Sequence, residues 1–291
     1  MLDTAFVIDE TDPTGGLRTI ADDAAEMGLH LVPVVSPGRD HGHTTAAADL
    51  HRLRGAGVVR PALSEAMALR TAGPRGADHP HRHLGVNPED IDLVLDLGEE
   101  ANTELVESVA RFALANLPHA GQWRTLVLAG AAFPRDLAGV PKEQITRIPR
   151  HDWHLYCLLA NEASSAGQRV PTFGDYGVAH PDPTLTVNPR FMSISGSLRY
   201  TSDDDWLVAK GGELFKGRGG GAGGEAIRPA TQMLALHEEF CGADFSEGDR
   251  WINRVALDPA ASCGNPERWR RTATNHHLAF VTDRLATRRA S

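Results

Sequence analysis

The chain has 291 residues, of which 41% are hydrophobic, 23% charged and 6% aromatic. These are the proportions of a globular protein, not of a disordered, fibrous or coiled-coil one. Its 29 Lys and Arg stand against 38 Asp and Glu, a formal net charge of -9, the reverse of what a sequence-independent duplex binder carries, so nucleic acid is not favoured as a partner. No apolar run approaches the roughly 18 residues of a membrane span, and MLDTAFVIDE has neither the basic nor the apolar region of a secretory leader. Cys157, Cys241 and Cys263 are odd in number and lack CxxC spacing, which argues against a disulfide framework or thiolate zinc site and for a reducing cytoplasm.

In chain order, Ala5 to Asp9 reads as a strand and Gly16 to Met27 as a helix that Gly28 closes. Leu29 to Val35 is the next strand, followed by a helix near Thr45 to Arg54 and a short strand at Gly57 to Arg60. Ile91 to Leu97 leads into a helix over Glu99 to Leu117, with Leu105, Val109, Phe112 and Leu117 among its apolar positions. Further strands are expected at Arg124 to Ala129, Gln144 to Ile148, Arg169 to Phe173 and Phe191 to Tyr200. Trp206 to Ala209 pairs back on the last of these after a turn at Asp203 to Asp205. Several runs, LVLDL and TLVLA among them, are nearly continuous in apolar residues, as strands covered on both faces are.

Strand–helix alternation of this kind predicts βαβ units and, with eight strands, a TIM-like (β/α)8 barrel. An open doubly wound sheet is the alternative, but neither GxGxxG nor GxxxxGK[ST] occurs where it would be needed. Residues 1–291 read as one domain: strand–helix alternation over 1–210, a glycine-rich loop at 211–224 and a helical cover over 225–291.

In such folds the strand C-termini converge, which makes polar groups there the site candidates. Asp9, Asp96, Asp152 and Asp175 fall at or just after strand ends, with Arg147, Arg150, Arg199 and Lys210 on neighbouring ones. Asp96, Asp152 and Asp175 are the catalytic candidates, the first and last as general base or cation ligand. Arg150 and Arg199 would clamp an anion, Tyr176 or Tyr200 would orient it, and Lys210 would add charge. A divalent cation is compatible with these carboxylates without being demanded by them. The plainer reading of the same residues is a set of salt bridges closing one end of the barrel.

Other motifs carry less. His41 and His43, His79, His81 and His83, and His151 and His154 lie in polar stretches where solvated side chains are the simpler account of their number. His276 and His277 are adjacent, so a helix would send at most one of them into a site. Ser193, Ser195 and Ser197 alternate along one strand and share a face, where they read as a polar layer inside the barrel. Lys216 and Arg218 in the glycine-rich run fit either a lid over an anionic substrate or an idle loop. Cys157 reads as packing, and Trp251 and Trp269 as core.

Six blocks in register carry a resemblance. They are FPRDL (133–137), ITRIPRHDWHLY (145–156), FGDYGVAHPDP (173–183), SLRYTSDDDWLVAKG (197–211), FSEGDRWI (245–252) and CGNPERWRRTATNHHL (263–278). With weaker agreement at FVIDE and DLVLDLG, they make the chain resemble the phage and prophage beta protein family. That resemblance implies a TIM-barrel-type fold and a role in phage–host conflict, and it implies no particular chemistry. A lysine- and glutamate-containing strand segment typical of the family's N-terminus is lacking or replaced here, so a modified first strand region is expected. The leading functional expectation is a cytoplasmic barrel whose polar mouth binds, and in one version hydrolyses, an anionic or phosphorylated small ligand. The alternative is a non-catalytic module for a protein partner, with a two-metal nuclease ranked below both.

Overall fold

The computed structural model describes residues 16–35, 41–54, 57–59, 87–99, 103–117, 119–181, 194–215 and 222–290. Contacts divide the chain into two compact units, Met1–Ala131 with Asp152–Asp175, and Ala132–His151 with Tyr176–Ser291.

The first unit contains α1 (Leu17–Glu26), β1 (Val34–Val35), α2 (His41–Arg54), β2 (Gly57–Val59), β3 (Ile91–Asp96), α3 (Glu104–Ala115), β4 (Thr125–Gly130) and β6 (Thr172–Asp175). α4 spans His151–Ser165. Gly28 ends α1 as the sequence predicts. It adopts φ +73, and the Leu29 and Gly28 amides donate to the carbonyls of Ala24 and Ala25. Thr103 starts α3, its hydroxyl accepting from the Val106 amide at 3.2 Å. The helix therefore begins later than the expected Glu99, and Ala110 and Ala113 are its buried residues, while Leu105 and Phe112 are exposed.

The five strands pair in parallel in the order β1-β2-β3-β4-β6. A sheet that grows in one direction through right-handed crossovers puts its helices on one face. Ile91, Leu93 and Leu95 of β3 accordingly pack with Leu17 and Ala21 of α1, Ala46 to Ala48 of α2, Ala110 of α3, and Leu155 and Leu159 of α4. Val94 turns to the opposite face, where it packs with Val34 and Ala129. Trp153 and Tyr156 of α4 cover β6 through Phe173, with ring centroids 5.0 and 5.1 Å away.

The second unit holds an antiparallel sheet of β5 (Ile145–Pro149), β8 (Asp205–Phe215) and β7 (Ile194–Thr201), ordered β5-β8-β7. β7 and β8 form the hairpin expected from the sequence, with Thr201 opposite Trp206. Three helices follow: α5 (Arg228–Ala235), α6 (Glu247–Leu257) and α7 (Pro266–Ala290). Leu198, Tyr200, Leu207 and Ala209 face a core shared with Leu234, Trp251, Ile252 and Trp269. On the other side Trp206 and Val208 pack with Phe133, Val178 and Ala273.

The (β/α)8 barrel is therefore overturned. Five strands follow barrel order, but β5, β7 and β8 run antiparallel in a sheet of their own and cannot join a ring of parallel strands. Continuous apolar runs report burial on both faces, which a covered antiparallel hairpin satisfies as well as a parallel strand does. The glycine-rich stretch also begins later than expected, because Gly211 to Phe215 continue β8. The expected strand at Ala5 to Asp9 lies outside the described residues.

Gly196 and Gly211 let the single-turn helix Gly223–Ile227 sit directly on the hairpin. A Cβ at Gly211 would lie 2.1 Å from the Ala226 carbonyl oxygen, and one at Gly196 would lie 2.8 Å from it. Backbone cannot retreat as a flexible side chain can, so Gly211→Ala should destabilise the protein by about 1–3 kcal/mol. A urea unfolding midpoint equal to wild type would contradict this contact.

Candidate functional site

β7 sends alternate residues to opposite sides, and the two sides do different work. Its inward residue Tyr200 is fully buried. The Tyr200 hydroxyl donates to Asp249 Oδ1 at 2.7 Å and accepts from the Cys241 amide at 2.8 Å. Asp249 sits in the first turn of α6, where Ser246 caps the helix by accepting the Asp249 amide and donating its hydroxyl to Oδ2 at 2.6 Å. His276 of α7 completes the network. Its Nε2 donates to the Thr201 carbonyl and its Nδ1 meets Asp249 Oδ2, both at 2.9 Å, so the ring bridges the Asp249 carboxyl to the backbone at the end of β7. It also stacks on Tyr200 with centroids 3.7 Å apart. Burial, and then the Asp249 charge, push the Tyr200 hydroxyl far above its usual range, so it stays a neutral donor.

On its other side β7 presents Ser195, Ser197 and Arg199 to a cavity of about 180 Å³, completed by Pro266, Trp269, Arg270 and Ala273 of α7. The α7 residues are spaced at one helical face, i, i+3, i+4 and i+7. Arg199 is half-buried and fixed from behind: Nη1 donates to the Val178 carbonyl, and the guanidinium lies 4.5 Å from the Phe133 ring centroid. Arg270 is exposed. Burial, and then the Arg270 charge, push the Arg199 guanidinium down to about 10, which leaves it cationic at neutral pH. Among the described residues neither arginine has a carboxylate within salt-bridge distance, unlike Arg147, whose guanidinium meets Asp205 at 3.1 Å and Glu239 at 2.8 Å.

The residues singled out from the sequence divide between the two units. In the first, Asp96 ends β3 and Asp175 ends β6, on either side of β4 and roughly 10 Å apart at two strand spacings. Asp96 accepts from the Gly98 amide at 3.1 Å, while Asp152 is buried in the first turn of α4. In the second unit Arg150 is fully buried, donating to the Ser202 carbonyl at 2.9 Å with its guanidinium 5.9 Å from the Trp206 ring centroid. Lys210 donates to the carbonyls of Leu137 and Val140 at 2.6 and 2.9 Å. Tyr176 is half-buried. Of the expected anion contacts, Arg199 alone lines the pocket.

Sequence reasoning missed Arg270, Asp249 and the role of the histidine pair. His276 and His277 are both buried, and the second meets the Thr201 hydroxyl through Nδ1 at 2.9 Å. His43 is buried too, donating from Nε2 to the Val34 carbonyl at 3.0 Å. Ser193, His79, His81, His83, Lys216, Arg218 and Asp9 lie outside the described residues. Among the described residues no group of three or more His, Cys, Asp or Glu is placed to hold a metal ion. No helix among them is long and apolar enough to cross a membrane. Burial raises the Cys241 thiol and holds the Cys263 thiol up at about 11, so neither is a thiolate at neutral pH.

The sequence profile of the Beta protein family matches residues 1–283. The chain belongs to that family. No curated protein and no solved structure matches it. In this beta-family chain three of the blocks quoted above meet in the buried network: RYT supplies Tyr200 and Thr201, FSEGD supplies Asp249, and NHH supplies both histidines.

Removing one member of a buried hydrogen-bonded network leaves its partners unsatisfied. His276→Leu, which strands both Asp249 Oδ2 and the Thr201 carbonyl, should cost about 2–5 kcal/mol, and Tyr200→Phe, which loses one donor and one acceptor, about 1–3 kcal/mol. Chemical denaturation measures both. A His276→Leu protein as stable as wild type would remove the network from the account of this unit.

Proposed function

We propose that this chain binds an anionic or phosphorylated ligand in the pocket between β7 and α7. The observation that carries the reading is the pairing of Arg199 with Arg270, two guanidiniums that share a cavity with two serine hydroxyls and have no carboxylate partner among the described residues. Like charges held together raise each other's energy, and an anion between them turns repulsion into charge-assisted hydrogen bonds. Pro266 at the start of α7 lines the same cavity, so the positive end of the helix dipole adds to the field. Among the described residues the lining supplies cations and hydroxyls but no carboxylate or imidazole, which favours binding over turnover. In this reading the ligand is met in the cytoplasm, and the resemblance to phage and prophage proteins sets the encounter in phage–host conflict.

Inorganic phosphate and sulfate are the direct probes, by calorimetry and thermal shift. Either should raise the melting temperature, because a ligand bound only to the folded state stabilises it by mass action. Arg270→Ala should weaken binding at least tenfold, the equivalent of about 1.4 kcal/mol or more, one charge-assisted contact. The same variant should unfold at an unchanged or slightly higher urea concentration, since it also removes a repulsion. Loss of stability in Arg270→Ala without loss of phosphate binding would overturn the reading.

A further inference from the structure

Arg270 lines a second depression as well. This one has a volume of about 460 Å³ and runs along the adjoining face of α7 from Glu267 to Leu278, with Glu247 and Gly248 of α6 on its far side. Arg268, Arg271, Thr272, Thr274 and Asn275 contribute to it. Its α7 wall spans eleven residue steps, roughly 16 Å at the helical rise of about 1.5 Å per residue. An extended peptide covers that length in about five residues.

The α6–α7 crossing is tight enough to make this a preformed groove. The Gly248 amide donates to Asn275 Oδ1 at 2.7 Å, and a Cβ at Gly248 would lie 2.5 Å from the Thr272 carbonyl oxygen. The chemistry along it is mixed. Arg268 and Arg271 stand among Glu247 and Glu267, Arg268 lying 3.4 Å from Glu247, with Thr274 half-buried and Leu278, 60% exposed, at the far end. A ligand with phosphate at every unit would meet Glu247 and Glu267 repeatedly, so a nucleic-acid strand fits poorly. A peptide with one anionic group, polar backbone groups and an apolar side chain matches each part of the surface in turn.

Resting on the anion pocket proposed above, we infer that the ligand is a short extended segment of a protein partner that carries a phosphoryl group. The phosphoryl group enters the cavity between Arg199 and Arg270, and the following residues lie along α7 toward Leu278. Arg270 stands where the two depressions meet and contacts both parts of the ligand.

The test uses the full chain and a synthetic pentapeptide with an N-terminal phosphoserine and a leucine near its C-terminus. Its affinity by fluorescence anisotropy is compared with that of the unphosphorylated peptide, of a 5'-phosphorylated pentanucleotide, and of inorganic phosphate as competitor. The phosphopeptide should bind at least tenfold more tightly than phosphate, and phosphate should displace it. Arg270→Ala should weaken both, and Leu278→Glu should abolish the tenfold advantage of peptide over phosphate. Phosphate binding without any advantage for the phosphopeptide, or with a larger one for the pentanucleotide, would overturn the partner while leaving the anion pocket standing. Failure of phosphate itself to bind would remove the pocket and this inference together.

Discussion

The buried pairing of Asp249 with His276 is the constraint on which the second unit turns. Two ionisable groups taken out of water are costly, and they persist only where their hydrogen-bonding capacity is filled. Here the filling groups come from two elements: the Tyr200 hydroxyl and the Thr201 carbonyl from β7, and the Ser246 hydroxyl at the start of α6. Each contact is directional, so the network fixes the angles at which two helices meet a sheet edge, which apolar packing alone would leave looser. The adjoining core of Leu198, Leu207, Trp251 and Trp269 supplies the non-directional attraction.

That constraint also sets the geometry of the pocket between β7 and α7, the proposed anion site. Arg199 is the neighbour of Tyr200 on β7, so a strand locked by Tyr200 on one side holds its arginine on the other. Arg270 lies nearly two turns before His276 on α7, so the histidine that locks the helix also places that arginine. Arg199 is further held by the Val178 carbonyl and the Phe133 ring. The result is a pair of like charges kept together by the strand and helix that carry them. Their mutual repulsion is the ground of the proposed ligand.

The sequence was informative about local structure and much less so about assembly. Helix α1 with its Gly28 stop, the parallel run from β2 to β4 and the β7–β8 hairpin are all visible as periodicity and turn chemistry. The barrel was not, because segments such as SLRYT and WLVA state that a strand forms without stating the direction of its neighbour. The site was half legible. Arg199 stands out as a polar residue near a strand end, yet the same criterion selects Arg150, Tyr200 and Lys210, whose polar atoms are engaged in the interior. Arg270 gave no signal because its significance comes from a strand some 70 residues earlier. The burial of both histidines was not legible: adjacent helical residues diverge by about 100°, which exposes one of them only if the helix is covered on a single side. α7 packs with both β7 and α6, and both rings are buried.

A chain of net charge -9 is an unexpected host for the proposed anion pocket, and the disagreement constrains how such a pocket would work. At physiological ionic strength charges more than about 8 Å apart are largely screened, so the potential inside the cavity is set by Arg199, Arg270 and the first turn of α7 with its Glu267, not by acids elsewhere on the surface. The global charge acts earlier, on approach, where it opposes an anion instead of steering it inward. Affinity then has to come from short-range contacts made after arrival: the guanidinium forks, the serine hydroxyls and, for a ligand long enough to reach it, the groove along α7. A pocket of this kind discriminates by fit, and a highly charged polymer gains less from it than a ligand that carries one anionic group in the right place.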